Sequence, residues 1–187
     1  MRWWWLAAAT LCWGAPARAE VVDRLVAVVG AEPLLASQVA VDRALAPIDP
    51  APVPFWTLAP APGAAGVDAD TQRAIDAVVL RQTAADVALY QPTREQVVAR
   101  IEALRATFGD DDRAQDRWEG FLAARGLDEA RLDSVMRRRM VTERFLLRNL
   151  VAAPTDPAWP DACREAVAAL RERMRIRIVP EPAPGAP

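Results

Sequence analysis

The last strand-like segment of the chain, Arg175-Ile176-Arg177-Ile178-Val179, alternates polar and apolar residues and follows a long run of helical patterns. The backbone N–H and C=O groups of a strand need partners. The chain offers them only near its other end, where Val21 to Val29 (VVDRLVAVV) is β-branched and mostly apolar. The sequence therefore has to close on itself, Arg175–Val179 pairing with the Val21–Val29 region. Gly30-Ala31-Glu32-Pro33 is a turn signal, and Leu34-Leu35 can extend a short second strand. The expected fold class is mainly α with a small β-sheet, the helices packing around that sheet.

The segments between the strands carry helix punctuation. Ser37 offers an N-cap side chain for a helix through about Leu45. The next helix starts at Asp70, with Ile75, Val78, Val79, Gln82 and Leu89 at helical spacing, and Pro92 breaks the pattern. Thr93 and Gln96 form a capping box, and Val97, Ile101, Leu104 and Phe108 then recur at spacings of four, three and four. A short helix carries Trp118, Phe121 and Leu122 on one side and closes at Gly126. Asp128 caps the longest helix, with Leu127 and Leu132 placed as a hydrophobic staple. Its apolar stripe reads Val135, Met136, Met140, Phe145, Leu147, Leu150. Pro154, Pro157 and Pro160 punctuate a linker over 152–160, and a last helix runs from about Asp161 to Arg173.

Composition bounds the chemistry. The chain of 187 residues is 52% hydrophobic, enough for one compact domain, and its formal net charge of −2 does not call for nucleic acid. It contains no histidine, so Ser-His-Asp and Cys-His catalysis in their usual forms are excluded, as is the commonest metal ligand. No phosphate-cradling glycine loop and no metal-ligand spacing is present, and Asp110-Asp111-Asp112 lacks the spacing of a calcium loop. No catalytic residue, cofactor or metal is expected. Of the two cysteines, Cys12 lies in a segment expected to be removed, which leaves Cys163 as a lone buried thiol.

The N-terminus has a charge at Arg2, an apolar run from Trp3 to Ala15 and the site Ala17-Arg18-Ala19, the three parts of a secretory signal peptide over residues 1–19. The apolar run is shorter than the roughly 20 residues of a membrane span. A single domain over 20–179 and a flexible tail over 180–187 are expected.

Two features admit a binding role. Residues 46–66 are rich in proline and alanine and read as a long extended loop carrying Phe55-Trp56. The two aromatics either tack the loop to the domain or form a client-contacting element. Arg131, Arg137, Arg138, Arg139, Arg144 and Arg148 make one helix basic, either as a solvated face or as an attraction for acidic clients or anionic membrane surface. Arg139 and Glu143 fall near the apolar stripe, where an internal ion pair is also open.

The opening Val22 to Val29, the turn and helix start at Glu32-Pro33-Leu34-Leu35 and Ser37-Gln38-Val39, the Pro92-Thr93 break, Gly126-Leu127-Asp128 before Leu132, and the closing Leu170-Arg171 then Ile176 to Val179 occur in this order. In that order and spacing the chain resembles the SurA N-terminal-domain-like periplasmic chaperone family. Family members usually insert parvulin-type isomerase domains between the long helix and the returning helix. Here only Ala152 to Pro160 separates them, and the proline-rich 46–66 segment has no counterpart. The resemblance implies a periplasmic holdase without isomerase activity or ATP. It would bind unfolded or outer-membrane polypeptides reversibly through apolar surface; this chain's own large aromatics, Phe55, Trp56, Trp118 and Phe121, are the expected peptide-binding residues. The alternative is a non-catalytic subunit that binds one dedicated envelope protein or itself as a homodimer.

Overall fold

Strand β1 (Leu25–Val29) turns through Gly30 and Ala31 into β2 (Glu32–Leu35), an antiparallel hairpin with an irregularity between Leu25 and Ala27. The computed structural model describes residues 23–63 and 66–180. The expected signal peptide over 1–19 and tail residues 181–187 lie outside them. Gly30 takes a φ of 59° at the first central position of the hairpin turn, a conformation L side chains resist. β3 (Ile176–Ile178) pairs antiparallel with the other side of β1, so the sheet order is β2-β1-β3. The pairing extends past the strand at both ends, with Gly30 N–H donating to Arg175 O and Val179 N–H to Val26 O. The closure expected between the N-terminal and C-terminal strands is therefore present, and its central strand contributes Ala27 and Val29 with no exposed surface.

Helix α1 (Ala36–Leu45) starts one residue before Ser37. Its cap position is Leu35, whose N–H is satisfied by Gln38 Oε1 at 2.9 Å. The Ser37 side chain does not cap the helix as expected. Its hydroxyl and N–H both donate to the Asp23 carboxylate, which ties the start of α1 to the entry of β1.

Helix α2 (Ala69–Ala84) is capped by Asp68, which accepts from the N–H groups of Asp70 and Thr71. It packs against β1, α1, α5 and α6 and so lies at the centre of the molecule. Alanines at 74, 77 and 84 let neighbours approach from several sides, while Ile75, Val78, Val79 and Leu80 fill the space between.

Thr93 and Gln96 form the expected capping box at the start of α3 (Arg94–Ala106). Val97 and Leu104 are fully buried, with Ile101 and Phe108 half-buried beside them. Helix α4 (Ala114–Ala123) is followed by Gly126 at φ 58°, and Asp128 caps α5 (Glu129–Asn149) through the Arg131 N–H at 2.7 Å. Leu127 and Leu132 are both buried, as a staple requires. The expected stripe on α5 is corrected at one position: Leu147 is 42% exposed and Leu146 occupies the core. Helix α6 (Trp159–Arg171) returns the chain to β3.

The proline-rich segment is not an open extended loop. Pro54–Thr57 forms a 3₁₀ turn, and Val53, Phe55, Trp56 and Ala61 are buried with α2, the second half of α5 and α6. Its prolines, which lack an N–H, keep it from continuing as an α-helix or joining the sheet, and Val53, Phe55, Trp56 and Ala61 pack it onto the domain.

Candidate functional site: a groove over a buried ion network

The turn after α1 places Asp49 inside the protein with its side chain wholly inaccessible. Two guanidiniums hold it, Arg100 from α3 and Arg139 from α5, the latter at 2.8 Å. Arg139 also reaches Asp42 on α1 at 3.2 Å, and its guanidinium lies 3.7 Å from the centre of the Trp56 ring. Arg100 reaches Glu143 at 3.2 Å, and the Trp56 indole N–H donates to the same carboxylate at 2.9 Å. Arg139 and Glu143 are 1% and 2% exposed. Burial pushes the Glu143 carboxyl above its ordinary range, against the pull of Arg100 and the indole N–H.

This network joins α1, the proline-rich segment, α3 and α5 through charge-assisted hydrogen bonds. The internal pair expected between Arg139 and Glu143 takes another form: each binds a different partner, and Asp49 and Arg100 complete the circuit. The signal for it was two charges inside the α5 stripe and Arg100 inside that of α3. Nothing in the local pattern marked Asp49.

Above this layer lies an open groove of about 450 Å³. Pro50 and Pro52 form one wall, Ala99 and Ala103 of α3 the floor, and Met140 and Leu147 of α5 the other wall. The small alanines create the depression between the two helices. Arg144 stands at its edge, donating to Gln91 O at 2.7 Å and to Gln96, with no carboxylate at ion-pair distance among the described residues. The two prolines present no N–H along their wall, so a bound chain would be held by side-chain burial and not by strand addition.

The aromatics expected to bind peptide, Phe55, Trp56, Trp118 and Phe121, lie outside this groove. Phe55 and Trp56 are 4% and 3% exposed, set edge to face at 5.0 Å, and belong to the core. They tack the loop down because each buries more apolar surface against α2 and α5 than a flexible lid could keep from water. Trp118 is 7% exposed and Phe121 is half-buried. Both pack with Phe108, and the Arg125 guanidinium covers the Phe121 ring at 3.9 Å. The four residues form two separate clusters. Leu147 and Met140, which shape the groove, read in the sequence as core residues of α5.

A second buried polar group lies between α2 and α6. Asp76, 2% exposed, pairs with Arg171, whose guanidinium also faces the Gln72 amide and donates to Pro62 O at 2.9 Å. Burial holds the Asp76 carboxyl up to about 7, with Arg171 opposing. Cys163 is 2% exposed next to it, and burial together with the Asp76 charge pushes its thiol up to about 12. The cavity beside them, about 10 Å³, leaves no room for a substrate. Among the described residues no group of His, Cys, Asp or Glu is arranged to hold a metal ion, and no helix is long and apolar enough to cross a membrane.

No family model, no curated protein and no solved structure matches the chain.

Proposed function

We propose that the protein is a non-catalytic polypeptide-binding chaperone of the SurA N-terminal-domain kind, exported to the periplasm and acting without an isomerase module. It holds extended apolar segments of unfolded or outer-membrane polypeptides in the groove between α3, α5 and the Pro50–Pro52 wall. The observation that supports this reading is the groove itself: an open channel with proline, alanine, methionine and leucine on its walls, where α5 leaves Leu147 42% exposed. A concave, mostly apolar cleft with a few polar groups beside it is the ordinary form of a binding site. Arg144 at the edge favours segments with an acidic residue beside the apolar ones. Release needs no chemistry, because only apolar burial and an exposed charge contribute.

The buried ion network beneath the groove ties α3 to α5 and to the proline-rich segment. A photocrosslinking side chain in place of Ala103, in protein exported by and purified from an expressing bacterium, tests the reading. When a urea-unfolded outer-membrane β-barrel protein is diluted into it, crosslinks should form at position 103 and not at Glu119 on the exposed face of α4. Equal labelling at both positions, or none at 103, would remove the groove from the account. Crosslinking instead between two copies of the chain would favour the homodimer alternative.

A further inference from the structure

A second concavity, of about 220 Å³, opens between the β2–α1 corner and the first half of α5. Its floor is apolar: Val41, Leu127 and Val135 are at most 9% exposed and Leu35 is half-buried. Its rim carries three guanidiniums. Arg125 donates to Phe121 O at 2.9 Å, Arg131 to Gly126 O at 2.8 Å and Arg138 to Ser134 Oγ at 2.9 Å. These partners are neutral, and none of the three arginines has a carboxylate at ion-pair distance among the described residues.

Two of the three acids around this rim are paired with other arginines, and the third, Asp23, is bonded to the neutral Ser37. Asp23 accepts from Ser37, Asp42 pairs with Arg139 at 3.2 Å, and Glu32 pairs with Arg81. Arg138 is half-buried, and burial followed by the nearby Arg81 charge lowers its pKa, against the pull of Asp42 and Glu32. A half-buried cation with its neighbouring carboxylates committed elsewhere is a receptor for an incoming anion. A guanidinium fork matches a planar carboxylate, and its remaining N–H groups are free to bind one. The apolar floor asks for an aliphatic group attached to that charge. The volume lies below the roughly 300 Å³ at which drug-sized pockets begin, so the ligand is small.

We propose that this pocket binds a small organic carboxylate, its aliphatic group seated on Val41, Leu127 and Val135 and its carboxylate held by Arg131 and Arg138. Two sources share this chemistry, a free aliphatic acid and the C-terminal residue of a polypeptide. The site is separate from the α3–α5 groove and does not depend on the chaperone reading.

Titration of the purified full chain with 4-methylpentanoate, followed by calorimetry and by amide NMR shifts, tests the proposal. Saturable binding is expected, with shifts centred on Leu127, Ser134 and Val135. 4-Methylpentanamide, acetate and inorganic phosphate should each bind about tenfold more weakly or worse, because each lacks either the charge, the tail or the planar anion. Arg138→Gln should weaken binding by a similar factor while leaving the melting curve unchanged. Arg131→Gln serves as an independent check should that variant melt early. A short peptide ending in leucine, compared with its C-terminally amidated form, separates the sources. Tighter binding of the free-ended peptide than of the acid assigns a polypeptide terminus, and the reverse assigns a small metabolite. The proposal is overturned if the amide or phosphate binds as well as the acid, if both arginine variants bind normally, or if neither acid nor peptide saturates.

Discussion

Both arginines of the buried network converge on Asp49, whose side chain is wholly inaccessible. Breaking a buried ion network by removing one partner strands the others, at a cost of about 3–5 kcal/mol. Asp49→Ala should therefore lower the unfolding free energy from urea titration by that amount, whereas Asp161→Ala, which breaks the exposed pair with Arg164, should change it by less than about 0.5 kcal/mol. Equal effects would show that the network is not what holds the proline-rich segment. Gly30 is constrained twice. Its φ of 59° opposes a side chain, and a Cβ there would meet Gln82 Oε1 at 2.5 Å, while Gln82 Nε2 donates to Val29 O. Gly30→Ala should cost at least the roughly 1–2 kcal/mol of a left-handed residue, read as a lower melting temperature.

Asp76 gives the residue scale a pH dependence with a definite sign. Its carboxyl is held up to about 7 in the folded protein and returns to about 4 on unfolding. The folded state binds the extra proton, so this group's contribution is fully present below the unfolded value and is lost as pH rises toward 7. Glu143 shifts in the same direction. Asp68, lowered chiefly by its hydrogen bond from Thr71, acts in the opposite sense and only at pH below about 4. Between about pH 5 and pH 7 the wild-type urea midpoint should fall with rising pH, and Asp76→Asn should flatten that slope. A midpoint that rises across the window in both proteins would contradict the assignment. Cys163, with its thiol pushed up to about 12 and 2% exposed, should resist a disulfide reagent at neutral pH and react only on unfolding.

Among the elements, those with a local signature were legible in the sequence. Thr93-x-x-Gln96, Asp128 and the Leu127/Leu132 staple state helix starts chemically, and all three sit where the pattern places them. The lone strand Ile176–Ile178 declared its partner because β1 was the remaining place for its backbone groups. The 46–66 segment was not legible. Proline and alanine announce only the absence of a helix, and the 3₁₀ turn at Pro54–Thr57 depends on where α2, α5 and α6 leave room for two large rings. Leu147 was misplaced for a related reason. In Phe145-Leu146-Leu147 three apolar residues compete for a stripe two residues wide, and packing against α2 and α6 selects the first two. The burial of Phe55 and Trp56 was not legible, because a large ring in small-residue surroundings looks the same from sequence whether it faces water or a core formed by distant segments. The network failed halfway: Arg139 and Glu143 stood out in the stripe, but their partners lie across the fold, at Asp49 and Arg100.

In the whole molecule, one long helix serves three tasks. The first half of α5 packs with α1, α3 and α4, its middle carries the charges that pin the proline-rich segment, and its second half packs with α2 and α6 while leaving Leu147 at the groove. On the proposed function this groove binds unfolded polypeptide, while Phe55 and Trp56 serve the core. The most direct measurement is suppression of aggregation of a urea-unfolded outer-membrane protein at near-stoichiometric ratios. It compares wild type with Leu147→Glu, an exposed position where a charge leaves the core intact. Suppression by wild type is expected, with its loss in Leu147→Glu at an unchanged melting temperature. No suppression by the folded wild type, or full suppression by the variant, would contradict it.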